Sequence, residues 1–248
     1  MKKYFLCAVS KDGFVSYFNS LQECADGYRT VVLKGGPGSG KSGLMKKVCA
    51  YALAENHDVE LIQCTSDPNS IDAVIDNTAH FAIVDGTPPH ITELLLPGVT
   101  GEIINMGDLW DTSILWNDKE EIERLNKKTA LYHKSASSYI AAAGVLLEAN
   151  RSYARDYAKL TDIYTLGKLF CESLAMGAGA REISRFLSGA SVGEIIFHKE
   201  SLEHCSKIYE IDDPWGAAAH MLISEVKNGA LAMDNEIILC PCAVLAHK

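Results

Sequence analysis

The chain has 248 residues, of which 48% are apolar and 22% charged, and its formal net charge is −9. Those totals fit an ordinary globular protein of one large or two small domains with a core that needs no staples, and the acidic balance argues against a chain that coats nucleic acid. No early apolar run with a small-residue cleavage site is present, and the apolar stretch over residues 139–147 is too short to span a bilayer, so no leader and no membrane contact are expected.

In chain order, "YFLCAV" (residues 4–9) and "FVSYF" (14–18) flank "SKDG" and predict a hairpin. "TVVLK" (30–34) is a β-branched strand that runs into glycines. Residues 43–55 carry Leu44, Val48, Tyr51 and Leu53 at helical spacing. "VELIQ" (59–63) predicts a strand, "SIDAVIDN" (70–77) a short helix capped by Ser70, "FAIVD" (81–85) an apolar strand ending in a carboxylate, and "EIINM" (102–106) another strand. This alternation predicts a mainly parallel sheet covered by helices. Residues 117–160 are rich in Ala, Lys, Glu and Leu and predict one long helix or a helical hairpin, with a further helix over 162–176.

From residue 181 the texture of the first segment returns. "YFLCAVSKDGFVSYFNSLQEC" (4–24) aligns with "RFLSGASVGEIIFHKESLEHC" (185–205), the strand–glycine–helix stretch with "KIYEIDDPWGAAAHMLISEV" (207–226), and "HDVELIQC" (57–64) with "NEIILCPC" (235–242). The blocks keep their order at an offset of about 180 residues. The alignment predicts a strand near 208–211 followed by a loop and a helix. Two unrelated segments of similar rhythm are the alternative.

"GGPGSGKS" (35–42) fits G-x-x-x-x-G-K-[ST] between a strand and a helix. Gly35, Gly36, Pro37, Gly38, Ser39, Gly40 and Gly43 are the candidate nucleotide-binding residues around Lys41 and Ser42, and the glycines let backbone N–H groups curl around phosphate oxygens at a helix N-terminus. In such a loop Lys41 reaches the β- and γ-phosphates and Ser42 offers a hydroxyl to Mg²⁺. Asp85, at the end of an apolar strand, is the candidate carboxylate for the same ion; a plain turn residue is the alternative. The next residue is Gly86 rather than a water-activating Glu, which speaks against a vigorous motor.

Asp67 and His90 follow strand ends and so belong near the crevice where parallel sheets hold ligands. Asp67 orients a nucleophile or second substrate, or makes an Asx turn before Pro68; His90 contacts phosphate or acts as acid or base, or is a loop histidine with local hydrogen bonds. Eight scattered cysteines (Cys7, Cys24, Cys49, Cys64, Cys171, Cys205, Cys240 and Cys242) read as buried free thiols of a reducing cytosol. "CPC" at Cys240 and Cys242, even with His247, falls short of a zinc-finger pattern and reads as strand thiols.

"KGGPGSGKSGLMKKV", "CTSDPNSIDAVI", "VDGTPPH" and "PGVTGEIINMGDLWD", in this order, resemble a group of little-characterised bacterial P-loop ATPases sometimes labelled nucleotide kinases. The resemblance covers about residues 4–115 well and the rest more loosely. Members of that group carry two tandem P-loop modules joined by helices. The resemblance implies that residues 35–42 and Asp85 bind ATP and Mg²⁺, and that residues 181–248 are a degenerate, truncated second module. Its loop reads "DDPWGAAAH", with Asp212 and Asp213 where phosphate would be repelled and Ala218 and Ala219 where lysine and serine chemistry is needed.

The expected fold is therefore α/β: a three-layer αβα P-loop NTPase domain over 1–115, a helical segment over 116–180 and a partial α/β module over 181–248. The expected activity is Mg²⁺-dependent ATP hydrolysis or phosphoryl transfer to an unknown acceptor; a nucleotide-driven switch or scaffold that binds a protein partner is the alternative. No guanine-selecting Asn-Lys-x-Asp motif occurs, and no basic–aromatic stripe suggests nucleic acid.

Overall fold

The computed structural model describes residues 1–21, 28–191 and 194–246, so Cys24 and His247 lie outside the described residues. Its first part is built on a six-stranded sheet of order β1-β5-β6-β7-β4-β8. The strands are β1 (Lys2–Tyr4), β4 (Arg29–Lys34), β5 (Val59–Gln63), β6 (Ile71–Asp76), β7 (Phe81–Asp85) and β8 (Gly101–Asn105). Pairs β1/β5, β4/β7 and β4/β8 are parallel, and β6 alone runs the other way. The fold is thus mixed α/β around a mostly parallel sheet.

Residues 70–77 do not form the expected short helix. Ile71–Asp76 is a strand with all six residues buried. A strand covered on both faces needs apolar groups at consecutive positions, and Ile71, Ala73, Val74 and Ile75 supply them. Such a run mimics a buried helix turn in a short window.

Alternation along β4 sorts its side chains to two cores. Val31 and Leu33 join Ile83 and Val74 against helix α1 (Lys41–Ala54). Val32 joins Val84, Ala73 and Ile62 on the opposite face. Each fully buried aliphatic side chain of this kind contributes about 1.5–3 kcal/mol. The buried face of α1 is Lys41, Met45, Cys49 and Ala52, while Tyr51 and Leu53, expected inside, point to solvent. The expected second helical layer is also replaced. The opposite face is covered by Leu6, Cys7, Phe18, Leu21 and Leu94. The first four come from hairpin β2 (Cys7–Ser10) and β3 (Gly13–Ser16), its flanks and a 3-10 turn (Phe18–Leu21), and Leu94 from the segment between β7 and β8.

Beyond β8, a short α2 (Thr112–Asn117) leads into α3 (Lys119–Arg155), one continuous helix of 37 residues and about 55 Å. Its one buried residue is Gly144, where a methyl group would collide with Lys11 of the hairpin turn. Helix α4 (Leu160–Glu172) packs on α5 (Ala217–Ala232) through Gly167 against Leu222 and Glu225.

The last part holds β9 (Arg181–Ser184) parallel to β12 (Glu236–Leu239), and a hairpin of β10 (Ser188–Ser191) and β11 (Glu194–Phe197). Residues 206–212 are irregular instead of the strand expected there, with Ile208, Tyr209 and Ile211 exposed. Among the described residues, no strand pairs with them as β7 pairs with β4. The two halves meet at Phe5 and Phe186, which exchange both backbone hydrogen bonds at 2.8 Å. Phe5 stacks on His198 and Phe186 on Tyr17, each pair inclined by 23°. Behind this seam, Arg185 Nε donates to Glu60 Oε2 at 3.0 Å with both side chains buried.

Candidate functional site

The glycine-rich loop joins β4 to α1 at the carboxyl end of the sheet. Gly38 and Gly40 take φ of 79° and 89°, a left-handed backbone that a side chain would strain. Gly40 is the N-cap of α1 and makes no side-chain cap hydrogen bond, so the first N–H groups of the helix face the loop without a capping side chain. Those donors and the helix dipole make a site for an anion.

Lys41 turns back into this loop and is buried. Its ammonium donates to Gly35 O, to Gly36 O at 3.1 Å and stands 3.5 Å from Asp85 Oδ2. Register explains the last contact: Asp85 lies opposite Leu33, at the foot of the loop. Asp85 Oδ1 accepts from the Thr87 N–H at 2.8 Å, and the Thr87 hydroxyl donates to Gly35 O at 2.8 Å. Ser42 Oγ accepts from the Ile71 N–H at 3.1 Å, which leaves the hydroxyl a second lone pair. A hydroxyl and a carboxylate are the oxygen-only donors that suit Mg²⁺. Trp110 packs on the loop so closely that a Cβ at Gly36 would lie 2.7 Å from its Cη2.

Asp72 escaped the sequence reading because its segment was expected to be helical. Antiparallel β6 sets Ala73 opposite Val84, which brings Asp72 to the crevice beside Asp85. Burial, with the nearby Asp85 charge, pushes the Asp72 carboxyl up to about 7, against the opposing Cys64 hydrogen bond and Lys41 charge. An acidic residue inside a fully apolar run was the available signal. His90 is also buried, with its ring 4.7 Å from that of Phe18, and burial holds its pKa below the ordinary histidine range. Asp67 is exposed, and its carboxylate accepts from the Asn69 N–H at 2.9 Å in an Asx turn. The structure therefore gathers Lys41, Ser42 and Asp85, adds Asp72, sets His90 behind them and leaves Asp67 on the rim.

The corresponding turn before α5 is closed by its own side chain. Gly216 again caps the helix in a left-handed conformation, with φ 70°. Asp213 fills the nest in front of it: Oδ1 accepts from Trp215 N and Gly216 N at 3.2 and 3.0 Å, and Oδ2 from Ala219 N at 2.8 Å. The Ala219 hydrogen bond leads those that hold this carboxyl below the usual range. Where repulsion of phosphate was expected from sequence, the carboxylate also takes up the donors that phosphate would need. Cys240 and Cys242 follow β12 and are not the buried strand thiols expected: Cys240 is half-buried against the core, Cys242 is exposed, as is Cys205, and among the described residues every cysteine is free.

Residues 15–87 match the family model described as novel STAND NTPase 3, a stretch that runs from β3 through the glycine-rich loop to just past Asp85. The match supports nucleotide binding of the NTPase type. No curated protein and no solved structure matches the chain. No helix among the described residues is long and apolar enough to cross a membrane.

Proposed function

We propose that this chain is a cytoplasmic P-loop protein that binds ATP with Mg²⁺ at residues 35–43 and hydrolyses it or passes its γ-phosphoryl group to an acceptor. The observation that carries this reading is Lys41, held inside an uncapped glycine loop by carbonyls of Gly35 and Gly36 and by Asp85. Entry of a triphosphate lets the ammonium exchange those carbonyls for β- and γ-phosphate oxygens, while loop N–H groups take the remaining charge. Ser42 and Asp85 are the residues that would hold Mg²⁺, which when bound neutralises phosphate charge. Asp67, committed to its own turn, and His90, buried against Phe18, are given no contact with phosphate.

Residues 1–115 form the working unit in this reading, and residues 181–248 a degenerate repeat. The matched geometry supports the repeat: each half pairs its first strand in parallel with the strand after its helix, and each carries a hairpin and a 3-10 turn. Asp213 in the second loop supports a single nucleotide per chain.

Titration calorimetry with ATP and Mg²⁺, beside a multiple-turnover phosphate-release assay, tests this. One nucleotide binds per wild-type chain, and Lys41→Ala loses at least a hundredfold in affinity, about 2.7 kcal/mol. Wild-type binding by that variant refutes the assignment. The second reading is a nucleotide-driven switch or scaffold with negligible turnover. Gly86 beside Asp85 and the plugged second loop favour it, and tight binding without turnover would decide for it.

A further inference from the structure

Three side chains that the nucleotide chemistry does not use converge behind the crevice. Cys7 opens β2, Asp72 lies in β6, and His90 follows β7. They are 1%, 3% and 7% exposed. One sulfur, one carboxylate oxygen and one imidazole nitrogen from the three lie within 4.8 Å of one another.

Asp72 Oδ2, the oxygen nearest the imidazole of His90, is buried without a hydrogen-bond partner. Leaving such an oxygen unpaired costs about 1–3 kcal/mol, more when it is charged. His90 Nε2 stands 3.4 Å from Asp72 Oδ2, a pair that makes no hydrogen bond. Two donors on one tetrahedral zinc, each at about 2.0–2.2 Å, are spaced by roughly 3.4 Å. The separation suits a shared cation better than a shared proton.

We propose that Cys7 Sγ, Asp72 and His90 form a binding site for a zinc-class divalent cation. A thiolate, an imidazole and a carboxylate select such an ion over Mg²⁺ or Ca²⁺, which prefer oxygen alone. Thiolate and carboxylate together offset the charge of the ion, and binding releases the Cys7 proton to solvent. The Thr65 hydroxyl, 3.5 Å from Cys7 Sγ, supplies a contact that orients the sulfur. The three ligands tie the hairpin, the central antiparallel strand and the loop after Asp85 to one point. The Ile71 N–H, one residue from a ligand, holds Ser42 Oγ, so the ion braces the wall of the nucleotide crevice. Its donor set is distinct from the oxygen pair Ser42 and Asp85.

The full chain, dialysed against chelator and titrated with Co²⁺, tests the site independently of nucleotide. One Co²⁺ per chain is expected, with a thiolate-to-cobalt charge-transfer band that Zn²⁺ abolishes and excess Mg²⁺ leaves intact. The band disappears in Cys7→Ser, and Co²⁺ affinity falls at least tenfold in His90→Ala and Asp72→Asn, each checked for native circular dichroism. A wild-type chain without the band overturns the proposal. So does a band of undiminished affinity in His90→Ala and Asp72→Asn, even should Cys7→Ser fail to fold. A band lost in a Cys240→Ser/Cys242→Ser chain and kept in Cys7→Ser assigns the metal elsewhere and likewise overturns it.

Discussion

Lys41 Nζ lies 3.5 Å from Asp85 Oδ2, with both side chains largely shielded from solvent, so one carboxylate serves as counter-charge to the ammonium and as the candidate ligand for Mg²⁺. Asp85→Asn removes the charge from both tasks. Without Mg²⁺, nucleotide affinity is expected to stay within about threefold of wild type, because the freed ammonium still meets phosphate. The gain in affinity on adding Mg²⁺ is expected to fall at least tenfold, about 1.4 kcal/mol. Calorimetry with and without the ion reads both numbers, and an unchanged Mg²⁺ response removes Asp85 from the site.

Gly36 and Trp110 make a second coupled pair. The 2.7 Å approach of Trp110 Cη2 to a Cβ built on Gly36 leaves no room for alanine unless the indole moves. Gly36→Ala is expected to weaken nucleotide binding about tenfold, roughly 1.4 kcal/mol. Trp110→Ala alone should cost less, and the double variant should recover part of the loss. Additive losses in that cycle would mean that the methyl group disturbs the loop without acting through the indole.

Asp213 gives a pH signature. Its backbone hydrogen bonds hold the carboxyl below the ordinary value of about 3.9. A depressed folded-state pKa contributes stability that is present above the unfolded value and lost as pH falls through the folded value. Asp213→Asn, which keeps one oxygen acceptor and removes the charge, is therefore expected to destabilise the chain by about 0.3–1 kcal/mol at neutral pH, in the range of a lost charge at a helix N-terminus. The gap should close as pH drops below 4 toward the folded pKa. Urea denaturation at several pH values measures it; a gap that grows on acidification contradicts the role.

The seam between the halves predicts a larger effect. Arg185 and Glu60 pair at 3.0 Å with side chains 3% and 7% exposed, so removing one partner strands a buried charge. Arg185→Ala is expected to cost about 3–5 kcal/mol, while Arg185→Met with Glu60→Leu should cost much less or nothing. Equilibrium unfolding of the three chains decides it. A single variant as stable as wild type would mean that the pair is hydrated in solution.

Much of the fold was legible in sequence because local physics governs it. The β-branched run before Gly35 and the helical spacing after Ser42 place the loop with its flanking strand and helix. Apolar runs also place β5 and β7, and the glycine turn places the hairpin. The misreadings have tertiary causes. Residues 71–76 are a strand since neighbours on both sides and cores on both faces accept them, which no window of eight residues reveals. The buried face of α1 is set by where the sheet lies, and this selects Met45, Cys49 and Ala52 over the more conspicuous Tyr51 and Leu53. Residues 206–212 have strand-like composition, but among the described residues no strand pairs with them.

By itself, the amino-acid sequence determined that a glycine-rich loop with the G-x-x-x-x-G-K-[ST] pattern stands between a strand and a helix, that Asp85 ends a neighbouring strand, and that the second loop lacks lysine and serine chemistry. Those are properties of consecutive residues, where glycine freedom, side-chain charge and hydrophobic period act over a few positions. Only the tertiary structure decided that β6 runs antiparallel and so carries Asp72 to the edge of the crevice, that Asp72 meets Cys7 and His90 behind it, and that Asp213 turns into its own nest. Strand direction depends on hydrogen bonds between segments remote in sequence, and a contact among residues 7, 72 and 90 exists only after the sheet has closed around them.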